Sequence, residues 1–288
     1  MKFKAIIELM RPKQWIKNSF VFAAIIFSGK FFNLELLKLN IIAFILFCLT
    51  SSCIYVLNDL VDIEKDKIHP EKRNRPLASG RVSKRDAIVL DFILLATIFY
   101  CSINFININI LFVYLIYIVM NILYSFKLKN IVIIDVMIIT LGFVLRVESG
   151  SVATGVTISP WLILCTTLLS LFLALNKRKS EIVTLKEKSN KHRIILEEYS
   201  IELLDKMLGI VTPSILMAYC LYTFSSIQSQ KMMFTIPFVL YGIFRYQYLM
   251  DKKNIGGKPE DVFTKDMPFL INIILWILLV MLIIYVEM

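Results

Sequence analysis

Four polar side chains recur at helical spacing in the run Asn58-Asp59-Leu60-Val61-Asp62-Ile63-Glu64-Lys65-Asp66. Read as helix, about 3.6 residues per turn puts Asn58, Asp59, Asp62 and Asp66 on one face. Three carboxylates so placed repel one another unless a cation joins them. Oxygen-only donors at a water-filled rim suit Mg2+, which keeps waters and bridges protein carboxylates to substrate phosphates. A basic stretch follows, His69-Pro70-Glu71-Lys72-Arg73-Asn74-Arg75-Pro76-Leu77-Ala78-Ser79-Gly80. Arg73 and Arg75 are its best phosphate clamps, because a guanidinium binds phosphate oxygens bidentately. Pro70 and Pro76 stiffen the return, and Gly80 permits a turn. A solvated loop has no reason to align the acids in this way. The pattern therefore points to a membrane enzyme that handles a diphosphate.

The elements that must carry these residues are membrane helices. The 288 residues are 58% hydrophobic, above the composition of soluble domains, with a mean hydropathy of +0.72. Nine runs long enough to span a bilayer as helices are expected at roughly 19–37, 38–58, 87–106, 108–126, 131–149, 158–176, 207–227, 232–250 and 268–286. Lys30, Asn33 and Glu35 interrupt the first, and Asn104, Asn107 and Asn109 crowd the turn after the third. With a cytoplasmic N-terminus, the 32 lysines and arginines fall on the inner side except Lys30, Lys38, Lys231 and the intramembrane Arg146. That asymmetry obeys the positive-inside rule and supports the span count. Topology and attraction to anionic lipid explain the net charge of +10. No motif for nucleic acid is present, so that partner is excluded. The five cysteines all lie in apolar segments with no CxxC, and read as small buried residues rather than disulfides or zinc ligands. The amphipathic start (Phe3, Ile6, Ile7, Met10) reads as an interfacial segment, with no cleavable signal. Function is expected on the long inward loops 59–86, 177–206 and 251–267. The chain 1–288 reads as one domain and sets no oligomeric state.

NDLVDIEKD followed by HPEKRNRPLASG resembles the UbiA-type membrane prenyltransferase superfamily, whose signature is NDxxDxxxD. The resemblance runs over essentially the whole chain. It implies an all-α polytopic bundle of nine transmembrane helices with a central cavity facing the cytoplasm, where Mg2+ bound by the motif holds a diphosphate. Asn58, Asp59, Asp62 and Asp66 are then the metal shell, and Asp59, Asp62, Asp66 and Arg73 the catalytic set. Lys72, Arg73 and Arg75 would bind substrate. So would Tyr124 and Lys129 in Tyr124-Ser125-Phe126-Lys127-Leu128-Lys129, at the inner end of the fourth span. Members of the superfamily carry a second aspartate-rich motif after the sixth span. Here that loop begins Asn176-Lys177-Arg178-Lys179-Ser180-Glu181, without aspartate before Asp205. Either Lys177 and Arg178 bind phosphate directly, or Glu198, Glu202 and Asp205 imitate the missing motif.

That departure resembles one branch, the polyprenyl-phosphate phosphoribosyltransferases. Arg11-Pro12-Lys13-Gln14-Trp15-Ile16-Lys17-Asn18, Leu173-Ala174-Leu175-Asn176-Lys177-Arg178 and Gly242-Ile243-Phe244-Arg245-Tyr246 carry it, with the His69–Gly80 run. Lys17 and Arg245 join the expected substrate contacts, Arg245 as a lid. Gly256-Gly257 is too short for a phosphate loop. The branch implies transfer of 5-phosphoribose from phosphoribosyl diphosphate to a polyprenyl phosphate, on the cytoplasmic side of a bacterial plasma membrane, for envelope polysaccharide synthesis. Two readings compete: prenyl transfer from an isoprenoid diphosphate, and anion transport with a regulatory metal site. Inside the membrane, Asp135 is placed toward the cavity, and Arg146 with Glu148 reads as structural.

Overall fold

The computed structural model describes residues 2–69, 72–187, 195–225, 230–253, 261, 262 and 265–287. Pro70, and the Gly256-Gly257 turn, lie outside the described residues. Every regular element among the described residues is helical: α1 Lys2–Leu9, α2 Ala23–Phe27, α3 Leu34–Val61, α4 Ile63–Ile68, α5 Lys84–Cys101, α6 Asn109–Phe126, α7 Ile134–Thr154, α8 Pro160–Glu187, α9 Ile195–Glu198, α10 Ile201–Ser225, α11 Ile236–Lys253 and α12 Met267–Glu287, with short 3₁₀ and π pieces between them.

Seven of these helices, counted among the described residues, are long and apolar enough to cross a membrane. They match seven of the nine expected spans. The first expected span, 19–37, is not one helix. It divides into a 3₁₀ segment Pro12–Phe22, the five-residue α2 and a 3₁₀ turn Lys30–Phe32. Gly29 at φ 77° turns the chain there. Asn33 caps α3 by accepting from the Glu35 and Leu36 amides, so α3 starts four residues ahead of the expected second span. The eighth expected span is α11, whose 18 residues include Arg245, Asp251, Lys252 and Lys253. The asparagine-rich turn after α5 is a π-helical turn, Ser102–Ile106, followed by extended Asn107. α5 and α6 leave large apolar side chains such as Phe92, Phe99, Phe112 and Leu115 exposed. In water such faces would associate, whereas a lipid tail is as apolar as they are.

The chain forms two compact units: Met1–Ile25, Asn33–Phe126 and Leu145–Val156 in the first, and Ile26–Phe32, Lys127–Val144 and Thr157–Met288 in the second. In the first unit α3 is central, packed by α5, α6 and the 3₁₀ segment. At its C-terminal end Ala5, Leu9, Val56, Ile63, Leu77, Val82 and Ala87 form a core. α1 therefore buries Ala5 and Leu9, while Phe3 and Ile7 stay exposed. Gly150 comes so near the 3₁₀ segment that a Cβ would stand 1.9 Å from the Val21 carbonyl oxygen. In the second unit α8 packs along α10, and α11 along α12. Its core includes Phe172, Leu175, Leu204, Tyr246 and Phe269.

Candidate active site

The acidic motif sits where α3 gives way to α4. Asp62 lies between the two helices, at φ −95° and ψ 10°. The i to i−4 bonding nevertheless persists: the Asp62 amide donates to the Asn58 carbonyl (3.0 Å) and the Asp66 amide to the Asp62 carbonyl (2.8 Å). The motif thus keeps the helical register that its spacing predicts.

Asp59 and Asp66 are buried, at 2% and 3% exposure, and both meet one nitrogen. Arg75 Nη1 donates to Asp59 Oδ1 at 3.0 Å and to Asp66 Oδ2 at 2.7 Å. Arg11 Nη2 donates to the same Asp59 oxygen. Two arginines thereby give two buried carboxylates their charged hydrogen-bond partners. Asn58 turns to α6, where Ser125 Oγ donates to its Oδ1 at 2.6 Å. Asp62 stands at the rim, a third exposed, 3.6 Å from Lys65 Nζ.

The backbone that presents the arginines is held by local bonds. Gly80 takes φ 74°, closing the turn after Arg75. Arg81 forks onto Glu8 at 2.6 and 2.9 Å and also donates to the Asn74 carbonyl, tying this turn to α1. The Arg81 hydrogen bond holds the Glu8 carboxyl below its usual range. Ser83 and Asp86 form a capping box that starts α5. Arg11 has φ 54°, a left-handed conformation that costs a non-glycine residue of order 1 kcal/mol. The Gln14 amide donates to its carbonyl at 2.9 Å. Its guanidinium lies 5.0 Å from the Tyr55 ring centroid.

The other expected contacts fall elsewhere. Arg73 is exposed, and Lys72, Tyr124 and Lys129 are partly so. Lys17 Nζ donates to Gln14 Oε1 at 2.6 Å. In the second unit Lys177 is partly exposed. Arg178 is wholly buried, donating through Nε to Asp135 Oδ2 at 2.7 Å and through Nη1 to Glu181. The Tyr199 hydroxyl donates to the other Asp135 oxygen at 2.7 Å and accepts the Ile133 amide at 2.8 Å. Burial and the neighbouring Asp135 push the Tyr199 phenol up, so it stays a donor. This packing corrects two expectations: Arg178 is an internal tie rather than a phosphate contact, and Asp135 is the buried centre of that tie rather than a cavity wall. Arg245 is joined to Asp266 at 3.1 and 2.8 Å and lies over the Tyr248 ring. Glu198, Glu202 and Asp205 do not gather as a substitute motif; Asp205 pairs with Lys179. Arg146 donates to Asn18 Oδ1 at 2.8 Å and to the Tyr117 hydroxyl at 3.1 Å.

Among the described residues no three acidic, histidine or cysteine side chains surround a common point. Two oxygens of the motif do converge on one cation position, which a guanidinium nitrogen fills here. The donor set is all oxygen, and so fits a hard divalent ion once Arg75 turns aside. Arg11 and Ser125 join the site from outside the expected set. Their signals were present: Arg11 ends the amphipathic start, and Ser125 lies in the run that supplied Tyr124.

A multi-pass helical membrane protein with buried acids bridged by arginine at one helix end is the class that fold and site define. Residues 19–274 match the profile of the UbiA prenyltransferase family, and the chain belongs to that family. It is 32% identical to a decaprenyl-phosphate phosphoribosyltransferase of Mycolicibacterium smegmatis, over 94% of this chain and 90% of that protein. It is 31% identical to one of Corynebacterium glutamicum, over 97% of this chain and 86% of that protein. The fold is that of a UbiA homologue from Archaeoglobus fulgidus, solved bound to DMAPP and Mg2+: TM-score 0.72, 19% identity, 98% of this chain and 99% of that one.

Proposed function

We propose that this protein transfers 5-phosphoribose from phosphoribosyl diphosphate to a polyprenyl phosphate and releases diphosphate. The convergence of Asp59 and Asp66 on a single cation position carries the diphosphate part of the reading. The printed names of two relatives similar over nearly their whole length support the choice of donor and acceptor. In this reading the chain is one catalytic domain of nine spans. It sits in a bacterial plasma membrane with its N-terminus and a central cavity open to the cytoplasm, and its product feeds envelope polysaccharide.

Asn58, Asp59, Asp62 and Asp66 would hold Mg2+, as the Mg2+ named for the Archaeoglobus structure suggests. Bound there, the ion would supply charge neutralisation for the leaving diphosphate. Arg75, released from the two carboxylates, turns to the phosphate oxygens, and Arg73 and Lys72 reach them from the same turn. Arg11 stays paired with Asp59. Lys17, Tyr124, Lys129 and Lys177 are further contacts for the anionic substrates. An oxygen of the lipid phosphate attacks the anomeric carbon as its bond to the diphosphate breaks, through a state with oxocarbenium character. The acceptor is already an anion at neutral pH. Positioning rather than deprotonation is needed, so no general base is required.

Purified protein given phosphoribosyl diphosphate, a short polyprenyl phosphate and Mg2+ should form phosphoribosylated lipid and diphosphate. Prenyl transfer is the second reading, favoured by the DMAPP bound in the Archaeoglobus structure. Absence of that product, with prenylation of an aromatic acid from an isoprenoid diphosphate, would replace the first reading with the second.

A further inference from the structure

One face of α3 carries Cys48, Ser52, Tyr55 and Asp59, each three or four residues after the last. The chain from Met10 to Asn18 runs along that face in the opposite direction. Asn18 Nδ2 donates to Cys48 Sγ at 3.2 Å. Trp15 Nε1 donates to Ser52 Oγ at 3.1 Å. The Arg11 guanidinium then covers the Tyr55 ring and reaches Asp59. Every one of these contacts lies within the first unit.

Arg11 closes α1 in the left-handed conformation, φ 54° and ψ 60°, and Pro12 follows it. Glycine is the usual residue at such a helix end. A side chain is tolerated there only where its surroundings over-determine the backbone. Ser52 supplies that constraint. It is wholly buried, and its hydroxyl meets the chain on both sides of Arg11. It donates to the Met10 carbonyl at 2.9 Å and accepts from the Trp15 indole. The Cys48 carbonyl, at 2.8 Å, shares the single hydroxyl proton. The positive φ sets the direction in which the Arg11 side chain leaves the backbone, and that direction ends on Asp59. We propose that Ser52 is a positioning residue for the acidic motif: by fixing Met10 and Trp15 it holds Arg11 on Asp59, and so fixes the Asp59 carboxylate for the cation shared with Asp66. The proposal rests on the metal part of the reading above, and not on which diphosphate is cleaved.

Mn2+ affinity without substrates, followed by electron paramagnetic resonance, tests it. The proteins are wild type, Arg11→Ala, Ser52→Ala, Trp15→Phe and the double variant Arg11→Ala/Ser52→Ala. Losing a hydrogen-bond partner of a ligating carboxylate costs about 10–100-fold in metal affinity, so Arg11→Ala should weaken Mn2+ by about tenfold or more. Ser52→Ala should weaken it by a few-fold, on the order of the lower end of that range. Trp15→Phe keeps a ring but loses the donor, and should shift the affinity the same way. In the double variant Ser52→Ala should add nothing to the loss from Arg11→Ala, because it acts through that side chain. A serine that served packing alone would lower Tm and leave the affinity at its wild-type value. Wild-type affinity in both Ser52→Ala and Trp15→Phe overturns the proposal, and so do losses that multiply in the double variant. A wild type that binds no Mn2+ overturns the metal part of the reading and this proposal with it. Mn2+ bound equally by wild type and both single variants of the clamp overturns the proposal alone.

Discussion

Arg75→Ala tests the site at its centre. The guanidinium bridges two acids, each almost without solvent, at 3.0 and 2.7 Å. Removing one partner of a buried ion pair costs about 3–5 kcal/mol, because it leaves uncompensated charge. Here the side chain of Arg75 is 29% exposed, and Arg11 remains on Asp59. Both facts lower the figure to about 2–3 kcal/mol. At about 2–4 °C per kcal/mol for a chain of this size, Tm without divalent ions should fall by roughly 5–10 °C. Mg2+ should then act in opposite measure on the two proteins. Wild type must break two Arg75 hydrogen bonds before a metal can enter, whereas the variant presents open carboxylates. Ligand stabilisation grows with the ratio of concentration to Kd. A few millimolar Mg2+ should therefore raise the Tm of Arg75→Ala more than that of wild type and recover most of the loss. Thermal unfolding in detergent with and without Mg2+ reads this directly. Equal Tm values in metal-free buffer, or equal Mg2+ protection of both proteins, would refute the reasoning.

Asp62→Asn, at the rim with its side chain a third exposed, should leave the fold intact and remove Mg2+-dependent transfer; a titration of rate against Mg2+ would show it. Arg73→Ala changes an exposed side chain, so stability should hold while the KM for the soluble donor rises; a rise for the lipid alone would mean that the substrates are assigned the wrong way round. Gly150→Ala puts a methyl group 1.9 Å from the Val21 oxygen. It should cost about 1–3 kcal/mol as an overpacked contact, read as a lower Tm with unchanged donor KM. Glu8 has a folded pKa below its ordinary 4.5 because Arg81 hydrogen-bonds it. Its contribution, under about 1 kcal/mol at this exposed site, is complete above pH 4.5 and vanishes as pH falls through the folded value. The Tm gap between wild type and Glu8→Gln should close over that acid range.

The membrane architecture was legible because lipid imposes it residue by residue: each spanning helix needs length and apolar content, and both can be counted. Seven spans followed from that count. The stretch 12–32 did not, because hydropathy does not report the glycine and asparagine conformations that divide it. The helical register of the acidic motif was legible from spacing alone. Its partners were not. Arg11 meets Asp59 across 48 residues and Ser125 meets Asn58 across 67, and no local pattern encodes such pairings. The same holds for Tyr199 and Asp135, which are 64 residues apart.

Arg75 and Arg178 look alike in sequence, each within a basic run beside an apolar segment. Their surroundings assign them opposite work. Arg178 sits in the body of a helix with no exposed surface, and its acceptor Asp135 is also held by a tyrosine. Moving it would strand two charges and a hydroxyl in a dry interior. Such a group cannot follow a substrate through a reaction cycle, and its value lies in fixing α8 against the start of α7. Arg75 stands on a turn with more than a quarter of its side chain in solvent, and Asp59 keeps Arg11 when Arg75 leaves. Its departure strands only Asp66, and a divalent cation bound there, as proposed, would replace the missing charge. Mobility at the motif thus depends on a redundancy, two arginines for one aspartate, that the Asp135 pairing lacks. On this argument Arg11→Ala should do more harm to metal-loaded protein than Arg75→Ala, because it removes the cation that stays.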